Sequence, residues 1–435
     1  MNTKKIYDVV VVGGGAAGMT AAIFAAERGA GVLLLEHMEQ IGKKILVTGN
    51  GKCNYTNRMQ EVSHYRGDEP AFVMSAFAQF GLEQTLAFFE ELGIYPKEKN
   101  GYFYPASEQA SSVLEVMKMR LQRLGVTIHC GVGIRSIEKT DGSFCFDTKS
   151  GCYFGKNCIL ATGGYAAKKT GSDGSGFIYA KKFGHHLSEP VPALVQLVAK
   201  PPFEKEMAGV RTAANVKLFA DGVLLHQDTG EVQLTDYGIS GIPVFQVSRF
   251  AAKALAAGKE VCAYLDFFPT ADETALTRIL KNRFYQSGIG KSAKEALVGL
   301  FADKLSGVFL KRSQIAWDMP AERVTDAQLA ELNLKIRQFE VKIARTNKFD
   351  AAQVTAGGIL TKELNDKSME SRLVPGLFFA GEMIDIDGEC GGYNLQWAWS
   401  SGAVAGCAAA ERAGKECKRD DKTFAGQGAI AAPGR

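Results

Sequence analysis

The segment Tyr7–Glu36 constrains the fold more than any other part of this chain. It reads YDVVVVGGGAAGMTAAIFAAERGAGVLLLE, and a short apolar run in it leads into Gly13-x-Gly15-x-x-Gly18. A helical pattern follows, and a second apolar run then ends in an acid. Gly13 allows the tight turn out of the first strand. This order of strand, glycine-rich turn, helix and strand predicts a βαβ unit.

Each part of this unit has a physical role in holding a dinucleotide. Gly15 has no side chain that would keep a pyrophosphate away from the backbone, and Gly18 lets the helix lie close to the sheet. The helix N-terminus at Ala16 and Ala17 offers unpaired N–H groups and partial positive charge to the phosphates. Glu36 follows the glycines by about 20 residues, where an acid accepts hydrogen bonds from a ribose diol. The segment therefore predicts a bound dinucleotide.

Length and composition exclude several classes of protein. A chain of 435 residues, 46% hydrophobic and 23% charged, is typical of a globular protein with more than one domain. The net charge of +4 is small and the basic residues are scattered, which argues against nucleic acid or a membrane surface as a partner. The longest apolar stretch is the glycine-rich segment itself, so we predict no transmembrane span.

The N-terminus and the cysteines indicate the compartment. The first strand begins almost at once, so we expect no secretory signal and a cytoplasmic protein. The nine cysteines contain no CxxC spacing, which predicts reduced thiols and no metal site. Cys53 and Cys390 are a possible redox pair, although most cysteines are structural. His185 and His186 are more typical of a buried or helix-terminal histidine than of a proton donor.

Two later segments indicate which dinucleotide is bound. One is a short apolar strand that ends at Ala161-Thr162-Gly163-Gly164, and the other is a strand that ends at Gly381-Glu382. Both resemble flavoproteins of the two-dinucleotide-binding class. The resemblance implies that the first strand passes the adenosine half of FAD, and that Glu382 lies at the ribityl chain.

A helical run from about Tyr393 follows the second strand. The pair Gly391-Gly392 precedes it, and two glycines let a backbone N–H approach the flavin ring without an intervening Cβ. The positive end of the helix would stabilise the anionic reduced flavin. We therefore predict ring contacts from this pair, Tyr393 and Asn394. Asp173, in GSDGSG, stands where related flavoproteins bring a loop to the cofactor, with an ordinary flexible loop as the alternative.

The segment Ile41–Asn57, IGKKILVTGNGKCNYTN, resembles an element of the BaiN-like NAD(P)/FAD-dependent oxidoreductase family. Pro192–Leu197 (PALVQL), Thr235–Gly241 (TDYGISG) and Gly388–Trp397 (GECGGYNLQW) match the same family. The family includes bile-acid dehydro-reductases and proteins assigned as aminoacetone oxidases. The resemblance implies further FAD contacts in the first element, at Lys44, Thr48, Gly49 and Asn54.

The chain departs from this family at two positions of one loop. Many members have His where this chain has Asp236, and Pro where it has Ile242. The loop nevertheless offers two candidate proton donors, Asp236 and Tyr237, and Tyr393 beside the ring is a third.

The spacing of these segments predicts an α/β protein with a discontinuous Rossmann-like FAD-binding domain, formed by residues 1–189 and 351–415. Residues 190–270 and 337–350 are predicted to form an inserted β-rich substrate domain, with turns at Asp221-Gly222 and Thr229-Gly230. Residues 271–336 have Leu and Ile at helical spacings and predict a small cap. The polar tail at residues 416–435 is predicted to be disordered.

The resemblance implies an FAD-dependent oxidoreductase. In the favoured hypothesis, NADH or NADPH reduces the flavin, and the flavin passes hydride to an electron-poor C=C of a small molecule. A flavin amine or aminoketone oxidase that makes H₂O₂ is one alternative. A flavin-dependent nucleic-acid-modifying protein and a non-catalytic flavin-binding protein are others. The sequence does not indicate the oligomeric state.

Overall fold

The computed structural model describes residues 5–414, so the predicted tail at residues 416–435 lies outside the described residues. The strands are β1 (Ile6–Val12), β2 (Val32–Leu35), β3 (Thr56–Asn57), β4 (Tyr65–Arg66), β5 (Pro96–Lys99), β6 (Tyr102–Pro105), β7 (Thr127–His129), β8 (Ile134–Thr140), β9 (Ser143–Thr148), β10 (Gly151–Leu160), β11 (Val191–Ala193), β12 (Leu197–Ala199), β13 (Arg211–Ala220), β14 (Val223–Leu234), β15 (Gly238–Gly241), β16 (Val261–Asp266), β17 (Phe339–Thr346), β18 (Val354–Ala356), β19 (Leu377–Phe379) and β20 (Asp387–Gly388). The α-helices are α1 (Ala16–Glu27), α2 (Phe72–Phe77), α3 (Leu82–Leu92), α4 (Ala110–Arg123), α5 (Ser175–Lys182), α6 (Ile242–Ala256), α7 (Glu273–Lys281), α8 (Ala293–Ala296), α9 (Asp303–Arg312), α10 (Asp326–Arg337) and α11 (Tyr393–Arg412).

A parallel sheet joins three distant parts of the chain. Its strands β7, β2, β1 and β10 lie side by side in that order, and β19 pairs in parallel with the end of β10. The start of β10 pairs with β9 instead, and antiparallel β8 continues that edge. The discontinuous arrangement predicted from the sequence is therefore present. Strand β18, from the same part of the chain as β19, lies outside this sheet and pairs with β11.

Helix α1 is enclosed between this sheet and helix α11. A Cβ on Gly18 would overlap the carbonyl oxygen of Gly13, so this glycine brings α1 against the turn. On the other side, Gly402 and Gly406 of α11 face α1, and a Cβ on either would overlap the carbonyl oxygen of Ala17 or Ala21. Glycines in both helices therefore permit an approach that larger residues would prevent.

The inserted region forms a closed antiparallel barrel. Its strands follow each other in the order β12, β15, β14, β13, β16, β17, and β17 pairs back with β12. Alternate residues of β13 are buried, as expected where one face of a strand lines a core. The hairpin predicted at Asp221-Gly222 is present, and both residues have positive φ, 48° and 79°.

The turn predicted at Thr229-Gly230 is wrong. Strand β14 runs unbroken through both residues, and Gly230 pairs with Ala214 of β13. Gly230 lets α6 pack closely on this strand, because a Cβ there would lie 3.0 Å from Cγ of Pro243 in α6.

Helices α7 to α10 lie between β16 and β17 in the chain, and α10 ends one residue beyond the range predicted for the cap. They pack on the barrel in one core that includes Leu276, Leu280, Leu332 and Ile336. Among the described residues, no helix combines the length and the apolarity that crossing a membrane requires.

Candidate active site

A cavity of about 730 Å³ lies at the carboxyl ends of the parallel strands and extends to the inserted region. Sites of α/β proteins typically form at this edge of the sheet. The predicted cofactor residues that line it are Gly13, Gly15, Ala16, Ala17, Glu36, Lys44, Thr48, Gly49, Asn54, Ala161, Thr162, Gly163, Asp173, Gly381, Glu382, Gly391, Gly392 and Asn394. Gly18, Gly164 and Tyr393 are not among the lining residues.

The glycine-rich turn forms one end of the cavity. A Cβ on Gly15 would meet no atom within 4 Å, so this position opens onto free space. The Glu36 carboxylate is held in place, because its Oε2 accepts from Gly14 N and its Oε1 from Met38 N, both at 2.7 Å. An open backbone at a helix N-terminus beside a fixed acid fits the pyrophosphate and ribose of a dinucleotide.

An ion pair between distant residues forms the middle of the cavity. Lys44 Nζ lies 2.7 Å from Oε2 of Glu382, and Oε1 of Glu382 accepts from Thr355 N at 2.7 Å. The two predicted cofactor residues are thus brought together across the cavity. Gly164 does not line the cavity. It allows close packing, since a Cβ there would overlap the side chain of Thr355.

The N-terminus of α11 forms the other end. Gly391 and Gly392 have φ of 124° and 92°, which favours glycine at both positions. Asn57 Nδ2 donates to Gly391 O at 2.9 Å, and Asn394 bonds the backbone of Gly388 in both directions at 2.8 Å. With its amide turned to satisfy its neighbours, Asn54 accepts from Gly392 N at 3.3 Å. Side chains therefore fix the loop that presents the positive helix end to the cavity.

The three candidate proton donors lie elsewhere. Asp236 and Tyr237 are exposed on a loop, Tyr237 by 40%, and neither lines the cavity. The Tyr393 ring is buried and stacks on His64, with centroids 4.7 Å apart. The TDYGISG motif meets the cavity wall only at the residue that follows it, Ile242.

The sequence reasoning missed several residues of the cavity wall. Tyr102 and Tyr104 line it from β6, and the alternation of YFYP was the signal that places both on one face. Glu389 lines it too, with Oε1 at 2.6 Å from Arg66 Nη2 and Oε2 at 2.9 Å from His64 Nδ1. Leu194, Ile242, Phe245 and Val354 add an apolar surface.

Cys53, Cys390 and His185 are buried or half-buried, whereas His186 is exposed, contrary to the expectation of a buried or helix-terminal histidine. Cys53 and Cys390 are both free, and burial raises the pKa of each thiol to about 12, so neither is a thiolate at neutral pH. His185 is buried, with Nδ1 at 2.9 Å from Glu363 Oε2 and Nε2 at 2.8 Å from Ser371 Oγ. Burial lowers its pKa, and the ring joins two segments outside the cavity.

Residues 7–408 match the family described as HI0933-like protein Rossmann domain. The chain belongs to this family. It is 45% identical over 405 residues to the 3-dehydro-bile acid delta(4,6)-reductase of Clostridium scindens, which covers 92% of this chain and 98% of that relative. It is 28% identical over 411 residues to the ribosomal RNA dihydrouridine synthase of Escherichia coli, covering 91% and 96% of the two chains.

Among solved structures, the 3-ketosteroid delta1-dehydrogenase of Sterolibacterium denitrificans in complex with 1,4-androstadiene-3,17-dione is similar in fold, with a TM-score of 0.50. The two are 11% identical, and the match covers 93% of this chain and 99% of that one. The family predicted from the sequence motifs is confirmed, and this member of it is an FAD-dependent oxidoreductase. The cavity described above fits FAD: the N-terminus of α1 would hold its phosphates, and the N-terminus of α11 would face its ring.

Proposed function

We propose that the protein reduces an electron-poor, enone-type C=C of a small molecule with electrons from NADH or NADPH. The observation that carries this proposal is the 45% identity, over nearly the full length of both chains, to a reductase of a 3-dehydro-bile acid. The aligned 405 residues cover 92% of this chain and 98% of that relative.

The inserted region supplies the substrate end of the cavity in this proposal. Residues 190–270 and 337–350 act as the substrate domain, and residues 271–336 as its cap. Leu194, Ile242 and Phe245 reach the cavity from this region, and all three are apolar. An apolar wall stabilises a largely hydrocarbon substrate by removing its surface from water.

Bound FAD supplies the hydride chemistry at its ring. Glu36 and the first turn of α1 would hold its nucleotide half, and Lys44 and Glu382 would hold its linker. The N-terminus of α11 would lend its positive end to the ring and so favour the electron-rich reduced state. The sequence contains no second GxGxxG that stands out, so the nicotinamide and the substrate would use the same face in turn.

An anaerobic titration tests this function. We expect NADH or NADPH, added separately to the purified holoenzyme, to bleach the oxidised-flavin absorbance, and an enone to restore it. No bleaching by either nicotinamide would contradict the reductase. Bleaching by an amine, with H₂O₂ formed once O₂ is admitted, would instead support the oxidase alternative.

A second candidate has a specific observation behind it. The relative in Escherichia coli is a ribosomal RNA dihydrouridine synthase. The C5=C6 bond of uracil is conjugated to a carbonyl, so its reduction needs the same hydride and proton as that of an enone. The same reduced enzyme distinguishes the two substrates: reoxidation by unmodified ribosomal RNA but by no small enone would favour the nucleic acid.

A further inference from the structure

Strand β6 brings one tyrosine to the N-terminus of α11. Its residues alternate, so that Tyr102 and Tyr104 are half-buried in the cavity wall while Phe103 is in the core. The strand pairs with β3, where Asn57 stands opposite Tyr102. Asn57 also donates to Gly391 O, so β3 connects the tyrosine strand to the loop that begins α11.

The Tyr102 ring lies directly against this loop. A Cβ on Gly391 would overlap Cε1 of Tyr102. The tyrosine ring therefore occupies the space that a side chain at position 391 would fill. This contact fixes the phenol at the end of the cavity where the flavin ring fits. It also gives Gly391 a second reason to be glycine, besides its positive φ.

The Tyr102 hydroxyl is available to a ligand. Within residues 5–414 it makes no hydrogen bond to another side chain or to the backbone. Burial raises its pKa, and the nearby Cys390, Asp228 and Glu389 raise it further, so the phenol keeps its proton at neutral pH. Glu389, which lines this end of the cavity while the nearby Asp228 does not, already has both oxygens engaged by Arg66 and His64.

We propose that Tyr102 is the catalytic acid that protonates the substrate, an inference that rests on the proposed reductase function. Hydride adds to the carbon β to the carbonyl, and the π electrons move to the α-carbon. There a C–H bond forms as the phenol O–H bond breaks, and the phenolate then regains a proton from solvent. The C=C is reduced by two electrons that the nicotinamide supplies through FAD.

Two neighbours are weaker candidates for this role. Tyr104 lines the cavity two residues farther along β6, and no atom of it is among those nearest to a Cβ on Gly391. The Cys390 thiol, with a pKa raised to about 12, is a poorer hydrogen-bond donor than a phenol. Tyr102 alone combines contact with Gly391 and a free hydroxyl.

The test uses Tyr102→Phe, which keeps the ring against Gly391 and removes only the hydroxyl. Tyr104→Phe removes the rival phenol on the same strand, and Tyr237→Phe removes one outside the cavity. The FAD content of each holoenzyme shows that it folds, and stopped flow measures flavin reduction by the nicotinamide. A 3-dehydro-Δ4,6 bile acid is then the probe for reoxidation in D₂O.

We expect Tyr102→Phe to be reduced at the wild-type rate and reoxidised about 100-fold more slowly, at the lower end of what a positioned acid contributes. Its residual product should carry deuterium on both faces of the α-carbon, where the wild type labels one. Tyr104→Phe should lose less than about tenfold, and Tyr237→Phe should lose nothing. Reoxidation of Tyr102→Phe within threefold of wild type, with one-face labelling, would overturn the assignment. Wild-type enzyme that is reduced but never reoxidised by the probe would overturn the proposed function itself.

Discussion

At the scale of single residues, the cavity depends on side chains that are already held before a ligand arrives. Glu36 accepts from Gly14 N and Met38 N, and it is 8% exposed. Glu36→Gln would replace one accepting oxygen by an amide that faces a backbone N–H. We expect a loss of about 1–3 kcal/mol in unfolding free energy, the cost of a buried group left unpaired. The affinity for FAD should fall at least tenfold, measured by fluorescence titration of the apoprotein.

The exposed Glu39 provides the matched control for this change. Glu39→Gln makes the same chemical substitution three residues away, outside the cavity wall, and should leave both stability and FAD affinity unchanged. Equal FAD affinities for Glu36→Gln and wild type would show that the acid does not contact the ribose.

Some residues of the cavity could be predicted from the local sequence, and others could not. Gly15 and Glu36 were predictable because a contiguous motif fixes both their backbone geometry and their neighbours. Tyr102 was not, because the loop it contacts lies almost 300 residues away in the chain. Tyr237 was chosen from its motif, yet the fold places its side chain in solvent.

At the scale of elements, the approach of α11 to α1 determines where the helix N-terminus lies. Gly406→Ala would place a Cβ against the carbonyl oxygen of Ala21, which is backbone that cannot move aside. Although alanine favours a helix, we expect this change to cost about 1–3 kcal/mol by overpacking. The affinity for FAD should fall as well, since α11 would shift. Thermal unfolding and flavin titration measure the two effects.

Gly307, inside α9, is the control because a Cβ there would meet nothing within 4 Å. Gly307→Ala should raise the unfolding free energy by up to about 1 kcal/mol through helix propensity alone. Stabilisation of Gly406→Ala by a similar amount would mean that the two helices can separate at no cost.

The packing of helix α6 on strand β14 also explains why the turn predicted at Thr229-Gly230 is wrong. A Thr-Gly pair between apolar runs is a usual turn signal, but Gly230 is needed where Pro243 packs on β14. Closure of the barrel by β12 and β17 could not be predicted either, since it pairs residues almost 150 positions apart in the chain. The helical character of residues 271–336 was predictable, because periodicity is a local property.

At the scale of the whole molecule, a buried ion pair joins the inserted region to the FAD-binding part. Arg249 of α6 donates from Nε to both oxygens of Asp387 in β20, at 2.9 and 2.8 Å. The side chains are 10% and 3% exposed, respectively. A pair buried this deeply stabilises little in itself, but removal of one partner leaves an uncompensated charge. Arg249→Met should therefore cost about 3–5 kcal/mol in unfolding free energy.

The double variant and its pH dependence identify the cause of that loss. Arg249→Met with Asp387→Asn removes both charges and should recover much of the stability lost by Arg249→Met. Burial raises the pKa of Asp387 even beside Arg249. Without the arginine the carboxyl is protonated more readily, so the deficit of Arg249→Met should shrink as pH falls through that raised pKa. A deficit that is the same from pH 5 to 8, with no recovery in the double variant, would mean that the arginine acts through its packing and not its charge.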